Sequence, residues 1–100
     1  MSRETEFHEA MLDIYKRAQR ECRYTPTRFL QMVSEQGGLQ AAKGLLASAE
    51  VSQGFTTLWE KGRLDLSMEA LVLRSPWCEL FSEDELAVAR ERLSQLGYEA

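Results

Sequence analysis

The stretch Phe81-Ser82-Glu83-Asp84-Glu85-Leu86 decides the fold of this chain, because it contains a complete set of signals for the start of a helix. The Ser82 hydroxyl can accept a hydrogen bond from a free backbone N–H, and Glu85, three residues later, can bond back to complete a capping box. Phe81 and Leu86 occupy the two positions of a hydrophobic staple. The acidic residues lie in the first turn, where the helix dipole favours negative charge. The sequence therefore predicts a helix from residue 83.

The end of the same helix is indicated by Leu96-Gly97-Tyr98. Gly97 suits the left-handed residue that follows a helix, and Tyr98 can then fold back on Leu93 in a Schellman ending. Comparable start and stop signals recur along the rest of the chain. Together they predict helices over residues 4–23, 26–36, 39–48, 54–61, 67–75 and 83–96, a single turn around residues 77–81 and a mobile loop at 49–54.

The boundaries of the second helix are predicted from its flanking residues. Thr25 is expected to cap it, with Pro26 at the first helical position, where the missing N–H is not needed. The pair Gly37-Gly38 is expected to end it. Further along, Leu64, Leu66 and Met68 alternate as in a short strand, but no partner strand accompanies them, and a helix capped by Ser67 is preferred.

Apolar residues at helical spacing define the expected core. The first helix presents Phe7, Met11, Ile14, Tyr15, Ala18 and Cys22 on one face, and the fourth is expected to bury Phe55, Leu58 and Trp59. We predict an all-α fold, an irregular orthogonal bundle of five or six short helices. A single domain should cover residues 1–100, with an ordered core at about 4–98.

Composition and charge exclude several functional classes. The chain has 100 residues, of which 44% are hydrophobic and 28% charged, and its net charge of −4 disfavours non-specific binding to nucleic acid. No apolar run is long enough for a membrane span, and the acidic start is unlike a secretory signal. We therefore expect a cytoplasmic monomer. Cys22, Cys78 and His8 match no metal-ligand spacing, so no metal and no cofactor are predicted, and both thiols should be reduced.

The strongest electrostatic feature is a basic set around the end of the first helix. Arg20, Arg23 and Arg28, close to Lys16 and Arg17, can meet an acidic surface of a protein partner or the phosphates of a nucleic acid. The structural alternative is a solvated face with local pairs such as Asp13–Arg17. Trp77, in a short segment beside a proline and rimmed by Arg74 and Glu79, is the candidate apolar anchor for a partner.

Two residues offer catalytic alternatives. His8 could act as a general base, but no Ser or Cys lies at helical spacing to receive its help, and a surface or half-buried histidine is the simpler interpretation. Cys22 could be activated by nearby arginines, although a helix C-terminus opposes a thiolate. We therefore predict no catalytic residues. A helix-turn-helix over residues 25–48 is a further possibility, but Gln40 and Lys43 alone could reach bases from its second helix.

Four segments carry a resemblance that covers nearly the whole chain. They are Phe7-His8-Glu9-Ala10-Met11, Arg28-Phe29-Leu30-Gln31-Met32-Val33, Gly54-Phe55-Thr56-Thr57-Leu58-Trp59-Glu60 and Gly62-Arg63-Leu64-Asp65-Leu66-Ser67. With them the chain resembles a family of small bacterial helical proteins of about this length, uncharacterised in function. The resemblance implies a bacterial, cytoplasmic domain with a self-contained fold, and it brings no catalytic residues.

The sequence leads to one functional hypothesis and two alternatives. The first is a non-enzymatic module that binds another protein, using Arg20, Arg23 and Arg28 for charge recognition and Trp77 for an apolar contact. The second is a nucleic-acid-binding accessory domain that uses the same basic face. The third is a small enzyme that uses Cys22 or His8.

Overall fold

The computed structural model describes residues 2–49 and 51–98. Within these ranges the chain forms helices and no strand, which confirms the prediction of an all-α bundle. The region of alternating leucines forms a 3₁₀ turn, Leu64–Leu66, rather than a strand, and a second 3₁₀ turn spans Trp77–Leu80. The six helices are α1 (Arg3–Cys22), α2 (Thr27–Gln36), α3 (Gly38–Ala47), α4 (Gln53–Glu60), α5 (Met68–Val72) and α6 (Glu83–Gln95).

The predicted ends of α6 are present in the structure. The Glu85 N–H donates to Ser82 Oγ over 3.1 Å, and the Ser82 N–H donates to Glu85 Oε1 over 2.8 Å, so the capping box is complete. At the other end Gly97 has a φ of 78°, and the Tyr98 N–H donates to the Leu93 carbonyl over 2.9 Å. This is the hydrogen-bond pattern of a Schellman ending.

The start of α2 differs from the prediction. Pro26 is the residue that precedes the helix, no side chain caps it, and the helix begins at Thr27. The physical reason is a tight turn, in which the Thr27 N–H donates to the Thr25 carbonyl over 2.9 Å. Thr25 therefore contributes its backbone to the start of α2, and its hydroxyl does not act as a cap.

The end of α2 at Gln36 agrees with the prediction, but the glycine pair that was expected to end it is divided between two helices. Gly37, with a φ of 86°, ends α2 alone, and Gly38 is the first residue of α3. A side chain at Gly38 would place its Cβ 2.7 Å from the His8 Cα, a distance that real contacts essentially never show. Gly38 is therefore required by the close approach of α1 and α3, and the Gly38 N–H donates to His8 Nδ1 over 2.9 Å.

The core consists of one large cluster and two small ones. The large cluster joins α1, α2, α3, α5 and α6 around side chains with no exposed surface, such as Phe7, Met11 and Val33. The small clusters attach α4 and the first 3₁₀ turn to the rest of the bundle; they contain Ala18, Leu58 and Leu66, and Phe55, Leu64, Ala70 and Leu93.

One core prediction was wrong. The Trp59 side chain is 47% exposed, although the spacing placed it beside Phe55 and Leu58 on the buried face of α4. A helix of eight residues covers only a narrow contact with the bundle, and Phe55 and Leu58 fill it.

Among the described helices, none combines the length and the apolar content that a membrane crossing requires.

Candidate functional site

A cleft of about 580 Å³ opens between the second half of α1, the start of α2, the end of α3, and α4. Its volume falls in the range of sites that hold ligands or side chains of a partner. The apolar walls come from four helices, each of which turns part of its core-facing surface toward the opening. The principal wall residues are Ile14, Phe29, Met32, Leu45, Phe55 and Leu58.

Exposed polar and charged side chains lie along one side of the mouth of the cleft. Thr27 and Arg28 come from the first turn of α2, and Gln53 comes from the first turn of α4. The Tyr24 hydroxyl lies beside the first turn of α4, where a Cβ built on Gly54 would be 3.4 Å from Tyr24 Oη. Polar groups that can bond to a ligand backbone are therefore concentrated at the entrance, above the apolar walls.

One residue of a buried ion pair lines the cleft. Glu69, from the first turn of α5, lines the cleft with only 2% of its surface exposed, and Arg92 from α6 is 9% exposed. Arg92 Nη1 lies 3.2 Å from Glu69 Oε2. Burial raises the pKa of the Glu69 carboxyl, and its own backbone N–H and Arg92 oppose that change. A carboxylate in such a place is stable only with a positive partner.

Arg92 also fixes one wall of the cleft. Its guanidinium donates to the Leu45 carbonyl over 3.1 Å and to the Ser48 carbonyl over 2.7 Å. The last carbonyls of a helix have no partner within the helix, and Arg92 supplies one from a different part of the chain. Leu45 and Ser48 both line the cleft, so α6 determines where the end of α3 stands.

The structure separates the three candidate arginines. Arg28 lines the cleft, whereas Arg20 and Arg23 lie outside its lining. Arg23 follows α1 with a left-handed φ of 54° and turns the chain toward α2. All three side chains are exposed and none forms an ion pair within the described residues. The basic set therefore divides into one residue in the cleft and two on the outer surface.

Arg17 belongs to a different network from the one expected. Its partner is Glu21, at 3.0 Å, and Glu21 also accepts from Arg63 over 2.9 Å. Arg63 in turn pairs with Asp65 at 3.0 Å. Hydrogen bonds from Arg17 and Arg63 hold the pKa of Glu21 below its usual value, and Arg63 does the same for Asp65. The network ties the end of α1 to the first 3₁₀ turn.

Trp77 is half-buried and belongs to the large core cluster. Its ring meets the edge of the Phe7 ring with the centroids 5.7 Å apart. The tryptophan with the larger free surface is Trp59 on α4.

The two catalytic candidates lie far apart. His8 and Cys22 are near opposite ends of α1, separated by about 21 Å along its axis at 1.5 Å per residue. His8 Nδ1 accepts the Gly38 N–H, and the half-buried Cys22 packs against the cluster of Ala18 and Leu58. The fold therefore does not bring Cys22 and His8 together. Cys22 and Cys78 are both free thiols.

Comparison with known proteins assigns no family. No family model, no curated protein and no solved structure matches this chain. The function therefore has to be inferred from the cleft and its surroundings.

The ion pair of Glu69 and Arg92 was not predicted from the sequence. Glu69 and Arg92 each have an ordinary local explanation, as an acid in a first helical turn and a base in a last one. They are separated by 23 residues, and their contact depends on the packing of α5 against α6. The detectable signal was the position of Glu69 between Met68 and Ala70, inside the most apolar segment of the chain.

Proposed function

We propose that this protein is a non-enzymatic interaction module whose cleft receives a segment of a partner protein. The observation that carries the proposal is the form of the cleft, with apolar walls below and exposed polar groups at the mouth. Interfaces between proteins have the same plan, in which an apolar centre is surrounded by a polar rim. A side chain of the partner can enter between Phe29, Met32 and Leu45, which are all partly exposed.

The hydrogen bonds of the buried polar groups support a binding function over a catalytic one. Within the described residues, every buried side-chain nitrogen or oxygen has a hydrogen-bond partner. Glu69, the one carboxylate of the described cleft lining, is occupied by Arg92. Side chains engaged in this way hold the walls in place and leave the shape of the cleft to select the partner.

The proposal also includes the origin and the cellular location of the protein. A cytoplasmic protein of bacterial origin, related to the family of small helical proteins that the sequence resembles, would carry out such a role as an accessory to another protein. Support comes from the resemblance of the four sequence segments.

A second candidate function is nucleic-acid binding by the three exposed arginines, two on the outer surface and one in the cleft. Arg20, Arg23 and Arg28 are exposed and have no ion-pair partner within the described residues. Binding to phosphates through these residues predicts an affinity that falls steeply as salt concentration rises. A fluorescent DNA duplex titrated at two salt concentrations tests this candidate directly.

The leading proposal is tested with a random peptide library displayed on phage. The library is panned against the protein and against two variants that each add one tryptophan to an exposed position. Thr27→Trp obstructs the mouth of the cleft, and Ala87→Trp changes α6 outside the cleft lining. We expect peptides selected on the wild type to keep binding to Ala87→Trp and to lose binding to Thr27→Trp. Failure to select any peptide that distinguishes the two variants would refute the proposal.

A further inference from the structure

We infer that the segment bound in the cleft is acidic, and that an Asp or Glu side chain of the partner pairs with Arg28 while a neighbouring large apolar side chain enters between the walls. This inference rests on the proposed function and specifies the chemistry of the partner.

Arg28 carries a guanidinium group without an ion-pair partner within the described residues. Acceptors hold the guanidinium groups of five other arginines, but Arg28 lines the cleft, is exposed and has no acceptor within the described residues. A free guanidinium at the mouth of an apolar cleft is suited to a carboxylate, which it can bind through two parallel hydrogen bonds. The engaged arginines are Arg3, Arg17, Arg63, Arg74 and Arg92.

The described lining of the cleft has an excess of positive charge. Arg28 is the one basic residue of the described lining and Glu69 the one acidic residue, and Arg92 already neutralises Glu69. Arg28 is therefore the one uncompensated charge of the described lining. An acidic segment is attracted to this charge, and a basic segment is repelled by it.

The backbone adds to the positive electrostatic potential at the cleft. Helices α2 and α4 both begin at the cleft, at Thr27 and Gln53, and the start of a helix carries a partial positive charge. The Thr27 N–H donates to the Thr25 carbonyl, but no side chain caps α2, so no side chain accepts from the N–H groups of Arg28 and Phe29. These dipoles strengthen the preference for a carboxylate that Arg28 establishes.

The walls decide between a protein and a nucleic acid. Phosphates could also meet Arg28, but a nucleic-acid duplex keeps its bases stacked inside and presents a backbone with no large apolar group to fill the space between Phe29, Met32 and Leu45. A peptide can supply a carboxylate and an apolar side chain from adjacent residues. Met32 is flexible and can adjust to the shape of the entering side chain.

The test uses the peptides selected from the phage library, synthesised with a fluorescent label and measured by fluorescence anisotropy. We expect them to contain Asp or Glu beside Phe, Leu, Met or Trp. Arg28→Glu should weaken binding by about tenfold or more, because it replaces attraction with repulsion. Arg28→Lys should weaken it by less than about threefold, since the charge remains. Arg90→Glu is the matched control, an exposed arginine on α6 outside the cleft lining, and should leave binding unchanged.

A second comparison shows whether the carboxylate meets Arg28 itself. Replacing the peptide's acidic residue by its amide should weaken binding to the wild type and have little further effect on Arg28→Glu. Selected peptides that are neutral or basic, or equal binding by Arg28→Glu and Arg90→Glu, would overturn the inference and leave the cleft as a binding site. A 20-base-pair DNA duplex is tested as a competitor of the labelled peptides. If the duplex displaces them at a lower concentration than the unlabelled peptides do, the inference is overturned in favour of nucleic acid. If no selected peptide distinguishes Thr27→Trp from Ala87→Trp, the proposed function itself fails.

Discussion

The buried pair of Glu69 and Arg92 leads to a quantitative prediction about stability. Replacing Arg92 by Met removes the charge while keeping most of the length and apolar volume of the side chain. Glu69, with 2% of its surface exposed, would then hold a carboxylate without an opposite charge. Breaking a buried ion pair by removing one partner costs about 3–5 kcal/mol.

The backbone partners of Arg92 contribute less to this loss. Ser48 is exposed, and water can replace the guanidinium at its carbonyl, while the Leu45 carbonyl still accepts the Ser48 N–H over 3.3 Å. We therefore attribute most of the expected loss to the uncompensated carboxylate. In a domain of this size, each kcal/mol lowers the melting temperature by about 4–8 °C, which gives a decrease of about 12–40 °C for Arg92→Met.

The assay is a set of urea and thermal unfolding curves, followed by circular dichroism, for Arg92→Met, Glu69→Gln and the double variant. The double variant removes both charges and should recover at least half of the stability that Arg92→Met loses, because no charge is left buried. Arg90→Met on the exposed side of α6 should change stability by less than about 0.5 kcal/mol. A loss below about 1 kcal/mol for Arg92→Met, or a double variant no more stable than Arg92→Met, would refute this reasoning.

Three further predictions concern stability and its pH dependence. Burial raises the pKa of the Glu69 carboxyl in the folded protein. The stability that Glu69 contributes is therefore complete below its pKa in the unfolded chain, near 4.5, and declines as pH rises through its folded pKa. Urea unfolding at several pH values should show that the stability of the wild type, relative to Glu69→Gln, falls as pH rises. Ser82→Ala removes the cap of α6 and should cost about 1 kcal/mol, measured by thermal unfolding; an unchanged melting temperature would contradict the role of the capping box. Gly38→Ala places a methyl group against His8 and should cost about 1–3 kcal/mol, whereas Gly44→Ala, which meets open space within the helix, should stabilise by about 0.5–1 kcal/mol; equal effects in calorimetry would show that the contact between α1 and α3 relaxes.

Much of the fold could be predicted because its signals are local. Caps and staples act within a few residues, so the bonds between Ser82 and Glu85 and the ending at Gly97 follow directly from the sequence. The start of α2 was predicted less well, because a turn through the Thr25 backbone replaced the expected side-chain cap. A pattern of residue types does not distinguish these two ways to begin a helix.

The candidate site was less predictable, because tertiary packing determines it. Arg20 and Arg28 are close in the sequence, but the left-handed turn at Arg23 directs them to different surfaces. The exposure of Trp59 depends on how much of the short α4 touches the bundle. The cleft exists because four helices leave space between them, and no segment of sequence carries that information alone.

Helix α3 is held at each end by a side chain from a distant part of the chain. His8 of α1 accepts the N–H of its first residue, and Arg92 of α6 donates to the carbonyls of Leu45 and Ser48 at its end. During synthesis on the ribosome, α3 emerges long before Arg92 does, so its C-terminal carbonyls must remain solvated until the chain is almost complete. The amide protons of α3 should therefore exchange with solvent only when the whole domain opens, and a nascent chain that ends before α6 should leave them unprotected.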